Sequence, residues 1–133
     1  MKGYQDIIEE LTLANSDFRR VLYTGHHLQL VLMTLQPGDE IGSEVHDDRD
    51  QFFRFEEGEG VVDIDGAENR VEDGSGVIVP AGARHNVRNT GRAALKLYSI
   101  YAAPEHRDGV VQSTKAEADA RHPHEEYDGR TSE

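Results

Sequence analysis

Apolar residues in this chain come in short runs, separated by Gly, Pro and Asp, and most runs show the two-residue period of a half-buried strand. Phe18 to Thr24 reads as a first strand. Leu28 to Leu35 is a nearly continuous apolar run closed by Pro37-Gly38, a second strand followed by a turn. Glu44-Val45-His46 is a short third strand, Asp47 to Asp50 a polar loop, and Gln51 to Phe55 a fourth strand with Gln51, Phe53 and Phe55 on one face. Glu57-Gly-Glu-Gly60 turns into Val61 to Asp65 to make a hairpin, Gly66 adds a further turn, Asn69 to Glu72 reads as a short strand, and Gly76 to Val79 as a strand stopped by Pro80. Pro80-Ala-Gly82 then turns the chain into a strand carrying His85, Val87 and Asn89 on one face, and Ala93 to Ala102 is the last long strand.

About ten short strands with frequent turn signals predict a barrel or sandwich. Helical spacing is confined to the ends. Ile7, Ile8 and Leu11 suggest a short helical turn within residues 4–14, and Ser113 to Ala120 a turn or two capped by Ser113 or Thr114. Past Arg121 the chain is polar and is expected to be disordered unless it docks on the body. The predicted layout is an N-terminal segment over residues 1–17, a β-barrel over 18–104 and a C-terminal tail with a short helix over 105–133. A length of 133 residues with 36% hydrophobic content fits a single domain with a modest core.

Charge narrows the partners. With 26 acidic and 14 basic residues the formal charge is −12, which repels polyanions and argues against nucleic acid. The absence of cysteine excludes disulfides and thiolate ligands, so any metal must be held by nitrogen and oxygen. No basic and apolar leader opens the sequence, and no run approaches the ~20 apolar residues of a membrane span, so the expectation is a cytoplasmic protein without a membrane partner.

Candidate chemistry gathers at two segments. In a strand, residues two apart point the same way, so Glu44 and His46 share a wall. Gln51 and His85, arriving from other strands, would complete a cluster of mixed oxygen and nitrogen donors suited to a divalent first-row metal.

These segments resemble the paired motifs of the cupin superfamily. The first family motif reads Gly, five residues, His-x-His, three or four residues, Glu, six residues, Gly; here Gly38, Glu44-Val-His46, Gln51 and Gly58 stand at those positions. The second reads Gly, five residues, Pro-x-Gly, two residues, His, three residues, Asn, and Gly74, Pro80-Ala-Gly82, His85 and Asn89 match it throughout. The resemblance spans Leu28 to Tyr101 and implies an all-β double-stranded β-helix, a cupin or jelly-roll barrel. It implies a divalent transition metal (Mn, Fe, Zn or Ni) on Glu44, His46, Gln51 and His85.

The chain departs from the family pattern in having Glu44 where the first histidine stands and Gln51 where the glutamate stands. The resulting set is similar to that of the type I phosphomannose isomerases with Gln and Glu exchanged, so a mannose-6-phosphate isomerase-like label is implied at the level of fold. Since one fold hosts many chemistries, the resemblance carries the fold further than the reaction.

Three residues are weaker catalytic candidates: Arg84 as a holder of a carboxylate or phosphate, and Tyr98 or Tyr101 as an acid/base hydroxyl. His26 and His27 are read as surface residues, Asp47, Asp48 and Asp50 as a solvated loop, and His106, His122 and His124 as tail residues of little weight as ligands. The implied function is a metal-binding cupin enzyme acting on a small oxygen-rich or anionic metabolite by isomerase, lyase or dioxygenase chemistry. The alternatives are a non-enzymatic cupin binding a sugar or acid, and a dimeric storage or stability protein with a vestigial site. Phe52 and Arg54, on the outer face of the fourth strand, point to a homodimer.

Overall fold

The computed structural model describes residues 1–121 and 124–133, so His122 lies outside the described residues. In chain order the elements are α1 (Ile8–Ala14), β1 (Arg19–Thr24), β2 (Gln29–Leu35), β3 (Glu44–Val45), β4 (Asp50–Glu57), β5 (Gly60–Ile64), β6 (Ala67–Val71), β7 (Gly76–Val79), β8 (Arg84–Asn89), β9 (Leu95–Ala102), β10 (Val111–Gln112) and α2 (Lys115–Arg121). The strands form two antiparallel sheets. One runs β10-β1-β2-β9-β4-β7 and the other β3-β8-β5-β6. The architecture is an all-β double-stranded β-helix, with a short helix near the C-terminal end.

The period-2 pattern decides which side chains enter the barrel. On β4, Gln51, Phe53 and Phe55 are buried while Phe52, Arg54 and Glu56 stay partly exposed. On β8, His85, Val87 and Asn89 are buried against exposed or half-exposed alternates. Register then sorts the interior into layers. Met33, Leu97 and Phe55 lie across from one another, as do Val31, Ser99 and Phe53, and the next layer is polar: Gln29, Tyr101 and Gln51. The barrel therefore has an apolar body, where Leu35, Leu95, Phe55 and Val62 are fully buried, and one polar end. Hydrophobic burial stabilises the body, and the polar end is where the strands carrying Glu44 and His85 meet.

Both ends of the chain dock on the barrel. In α2, Thr114 Oγ1 accepts a hydrogen bond from the Glu117 amide at 3.1 Å, while Glu117 returns a carboxylate oxygen to the Ser113 amide at 2.8 Å, close to a capping box. Of the two caps read from sequence, the side-chain role falls to Thr114. Beyond α2 the tail continues to make ordered contacts. The Tyr127 amide donates to Glu105 O, and Ser132 bonds back to Thr24. The expected tail therefore takes its docked form, held by backbone hydrogen bonds rather than by an apolar stripe.

Candidate metal centre

Glu44 and His46 lie two residues apart where β3 runs out, and Glu44 is the antiparallel partner of His85 on β8. That pairing brings three side chains to one point, with ligand atoms of Glu44, His46 and His85 all within 4.8 Å of one another. The His46 and His85 rings have their centroids 5.4 Å apart. The turn between β7 and β8 fixes the geometry: the Gly82 amide donates to His46 O at 2.9 Å and the Ala81 amide to Asp50 Oδ1 at 2.8 Å. Asp50, read from sequence as part of a solvated loop, thus helps lock the turn that delivers His85.

The surroundings set which nitrogen of each ring is available. His85 Nδ1 lies 3.1 Å from Ala83 O, a carbonyl that can only accept, so Nδ1 carries the proton and Nε2 keeps its lone pair. His46 Nδ1 lies 3.5 Å from Glu105 Oε2, and Glu105 is gripped by Arg49 Nη1 at 2.6 Å. A carboxylate behind the imidazole in this way favours Nδ1–H and raises the basicity of Nε2. Glu44 Oε2 sits 3.0 Å from His46 Nε2, an ion-pair distance, yet Nε2 makes no aligned hydrogen bond.

Burial on its own would raise the Glu44 carboxyl, but contact with His46 and the charges of His46, Arg19 and His85 together hold it below the usual glutamate value. The neighbouring Glu44 raises the His46 imidazole against the opposing pull of burial. Burial lowers His85, in keeping with a neutral donor ring.

Gln51 comes in on β4 opposite Tyr101 of β9. Its amide nitrogen donates to Ser99 Oγ at 2.8 Å, and its Oε1 is buried without a partner. Burial pushes the Tyr101 phenol well above the ordinary tyrosine value, so its hydroxyl stays protonated. That hydroxyl is 3.2 Å from His106 Nε2, with the two rings edge to face.

Two sequence candidates are not brought to the cluster, and strand alternation is the reason. Arg84 precedes His85 on β8, so its side chain is exposed on the other face, 3.3 Å from Ser43 Oγ. Tyr98 is out of phase with Tyr101 on β9 and packs on Phe52 outside the barrel, ring centroids 6.5 Å apart. Conversely, His106, a tail residue of little weight as a ligand by sequence, lies at the site, as do Glu105, Arg49 and Arg19, which no sequence motif marks. Their only advance signal was position: Glu105 and His106 directly follow the strand carrying Tyr101.

The cluster opens into a cavity of about 530 Å³, lined by Glu44, His46, Arg19, Glu105, His106 and the tail residue Glu125 among others. The donors present fit a divalent first-row metal: two imidazoles, one carboxylate held ionised, and nearby in the polar layer an unpartnered amide oxygen.

An antiparallel two-sheet barrel with a carboxylate and two histidines converging at its polar end defines a double-stranded β-helix whose Glu44, His46 and His85 are able to bind a metal ion. Residues 31–101 match the model of the Cupin domain family, and the chain belongs to that family. It is 47% identical over 117 residues to the uncharacterised protein YrkC of Bacillus subtilis, covering 84% of this chain but 63% of YrkC. It is 36% identical over 109 residues to the uncharacterised protein L612 of Acanthamoeba polyphaga mimivirus, covering 78% of this chain and 68% of L612. The crystal structure of BH2720 from Bacillus halodurans superposes with a TM-score of 0.88 at 47% identity, covering 90% of this chain and 95% of that one. No helix among the described residues is long and apolar enough to cross a membrane.

Proposed function

We propose that this cupin is a metal-dependent enzyme acting on a small oxygen-rich or anionic metabolite, with Mn, Fe, Zn or Ni held by Glu44, His46, His85 and Gln51. The observation that carries the reading is the convergence of one carboxylate and two imidazoles: the ligand atoms of Glu44, His46 and His85 all lie within 4.8 Å of one another. Gln51 Oε1 is buried without a hydrogen-bond partner, which costs about 1–3 kcal/mol that a bound cation or ligand offsets. A divalent ion there supplies Lewis-acid polarisation of a ligand oxygen, which serves isomerase, lyase and dioxygenase chemistry alike.

The protein's own residues do the rest. Glu44 provides the one anionic donor, Glu105 orients His46, and the protonated Tyr101 hydroxyl offers a hydrogen bond within the polar end of the barrel. We also assign a homodimer through the outer face of the larger sheet, where Phe52, Ile78 and Ile100 are partly or largely exposed.

Metal analysis of protein purified without an affinity tag tests the core of the reading. The expected result is about one equivalent of a transition metal, lost in Glu44→Ala, His46→Ala and His85→Ala with the fold intact by circular dichroism. Less than about a tenth of an equivalent, unrestored by added Mn, Fe, Ni or Zn, overturns it. Turnover is then assayed as oxygen consumption with Fe(II) against diketones and 2-hydroxy acids, and as isomer exchange of sugar phosphates. Metal occupancy without turnover of any of these identifies a binding module instead.

A further inference from the structure

Arg19 opens β1 and faces inward, 8% exposed, while its neighbour Arg20 is in solvent and pairs with Asp17 at 3.5 Å. Its guanidinium packs over the Phe18 ring, 5.2 Å from the centroid, and lines the same cavity as Glu44 and His46. Among the described residues only one of its polar atoms is engaged: Nη1 donates to Gln112 Oε1 at 2.7 Å. Nε is buried without a partner, Nη2 makes no hydrogen bond, and no carboxylate among the described residues lies within 4.0 Å.

A buried guanidinium with no carboxylate in direct contact is an expensive arrangement, because the more distant charge of Glu44 offsets only part of its desolvation. It does not arise here from a shortage of carboxylates. The chain has 26 acidic residues, and Glu44, Glu105, Asp119, Glu125 and Glu126 line the same cavity. The neighbouring cation of that wall, Lys115, already has its partner in Asp119 at 2.6 Å. The neutral amide of Gln112 holds Arg19 instead, and is itself held, its nitrogen donating to Glu125 Oε1 at 3.2 Å. The relay from Glu125 through Gln112 orients the guanidinium by its Nη1 side and leaves the Nε/Nη2 fork without a protein acceptor, the edge that takes a carboxylate in bidentate fashion.

We propose that Arg19 is the anchor for the carboxylate of the ligand, and that the ligand class is a small monocarboxylic acid bearing a second oxygen function that faces Glu44, His46 and His85. The inference rests on the proposed function for that second contact, while the anchor itself does not depend on a metal. A single unpaired cation in a wall of five carboxylates suits one negative charge and disfavours a phosphate dianion, which would gain one favourable partner against several repulsive ones. The proposal therefore moves the substrate away from sugar phosphates. It also gives Arg19 the role that the sequence suggested for Arg84, which the strand turns outward.

Glycolate, glycolamide and inorganic phosphate are the probes, titrated by calorimetry against the protein as purified and after chelator treatment. Glycolamide replaces the carboxylate of glycolate by a neutral amide of nearly the same size, which cannot accept both bonds of the guanidinium fork. The expected result is that glycolate binds roughly tenfold or more tightly than glycolamide in both preparations, with phosphate weaker than glycolate. Arg19→Gln should abolish the preference for glycolate over glycolamide, and Arg19→Lys, which keeps the charge but loses the fork, should retain only part of it.

Equal binding of glycolate and glycolamide by the wild-type chain overturns the proposal whether or not the variants fold. A preference seen only in metal-loaded protein and kept by Arg19→Gln also overturns it, since the carboxylate is then taken elsewhere. An Arg19-dependent preference in protein that binds no metal leaves the anchor standing and removes the metal reading.

Discussion

Single side chains at this site are specified from behind. Glu105 lies 3.5 Å from His46 Nδ1, is clamped by Arg49 Nη1 at 2.6 Å, and has its backbone amide 3.1 Å from Gln29 Oε1. Gln29 is fully buried in the polar layer, and its amide nitrogen also donates to Thr24 Oγ1 and His106 O. One saturated glutamine thus pins the segment after β9 against the barrel and with it the carboxylate that orients His46. Outer carboxylates of this kind are worth about ten- to a hundredfold in metal affinity. Glu105→Ala should therefore weaken metal binding by roughly that factor, with Glu44, His46 and His85 all in place, as measured by competition with a chromophoric chelator. Unchanged affinity would mean that His46 is positioned by its own strand alone.

At the level of elements, the glycines that follow β4 and open β5 act through close backbone approach. A Cβ on Gly60 would stand 2.6 Å from Arg88 O and 2.8 Å from Leu95 Cδ2, because β5 crosses there between the β8 backbone and the β9 core. Gly58, at φ 103°, would meet Ala94 O at 2.7 Å. Gly60→Ala should cost about 1–3 kcal/mol, the usual penalty for forcing a group into a packed site, read as a lower denaturant midpoint at unchanged slope. A midpoint equal to the wild type would show that this corner can relax.

The same strands explain what could be read in advance. Gln51, Phe53 and Phe55, like His85, Val87 and Asn89, alternate with polar or exposed residues, so their phase is visible in the sequence. Arg19 offers no such signal. It is followed by an identical residue and then by Val21 and Leu22, both apolar, and a register shift between Val21 and Tyr23 breaks the alternation that would have told Arg19 from Arg20. The docked tail was equally hidden, because Gln29 grips it by hydrogen bonds across 76 and 77 residues of sequence, a kind of contact without periodicity.

Across the whole molecule, a net charge of −12 opposes association while one sheet face favours it. The outer positions of the larger sheet place Leu30, Ile100, Phe52 and Ile78 in one row over four strands, the last of them 70% exposed. Gly76 leaves room for the Phe52 ring, whose edge carbon lies 3.3 Å from where a Cβ would be. The cations nearby are already paired within the chain, Arg54 with Glu56 at 2.6 Å and Arg20 with Asp17 at 3.5 Å, so the row itself is close to neutral. Two copies meeting on this face would bury the apolar row locally and repel each other through charges further away. Salt then acts in one direction: raising ionic strength shortens the Debye length from ~30 Å at 0.01 M to ~8 Å at 0.15 M, screening the distant repulsion while leaving the apolar contact intact. The proposed dimer should accordingly tighten with added NaCl in sedimentation equilibrium, and Ile78→Glu should make the protein monomeric at all salt concentrations with metal content unaffected. Dissociation on adding salt would place the contact on charged groups instead of this row, and a dimer that survives Ile78→Glu would place it on another face.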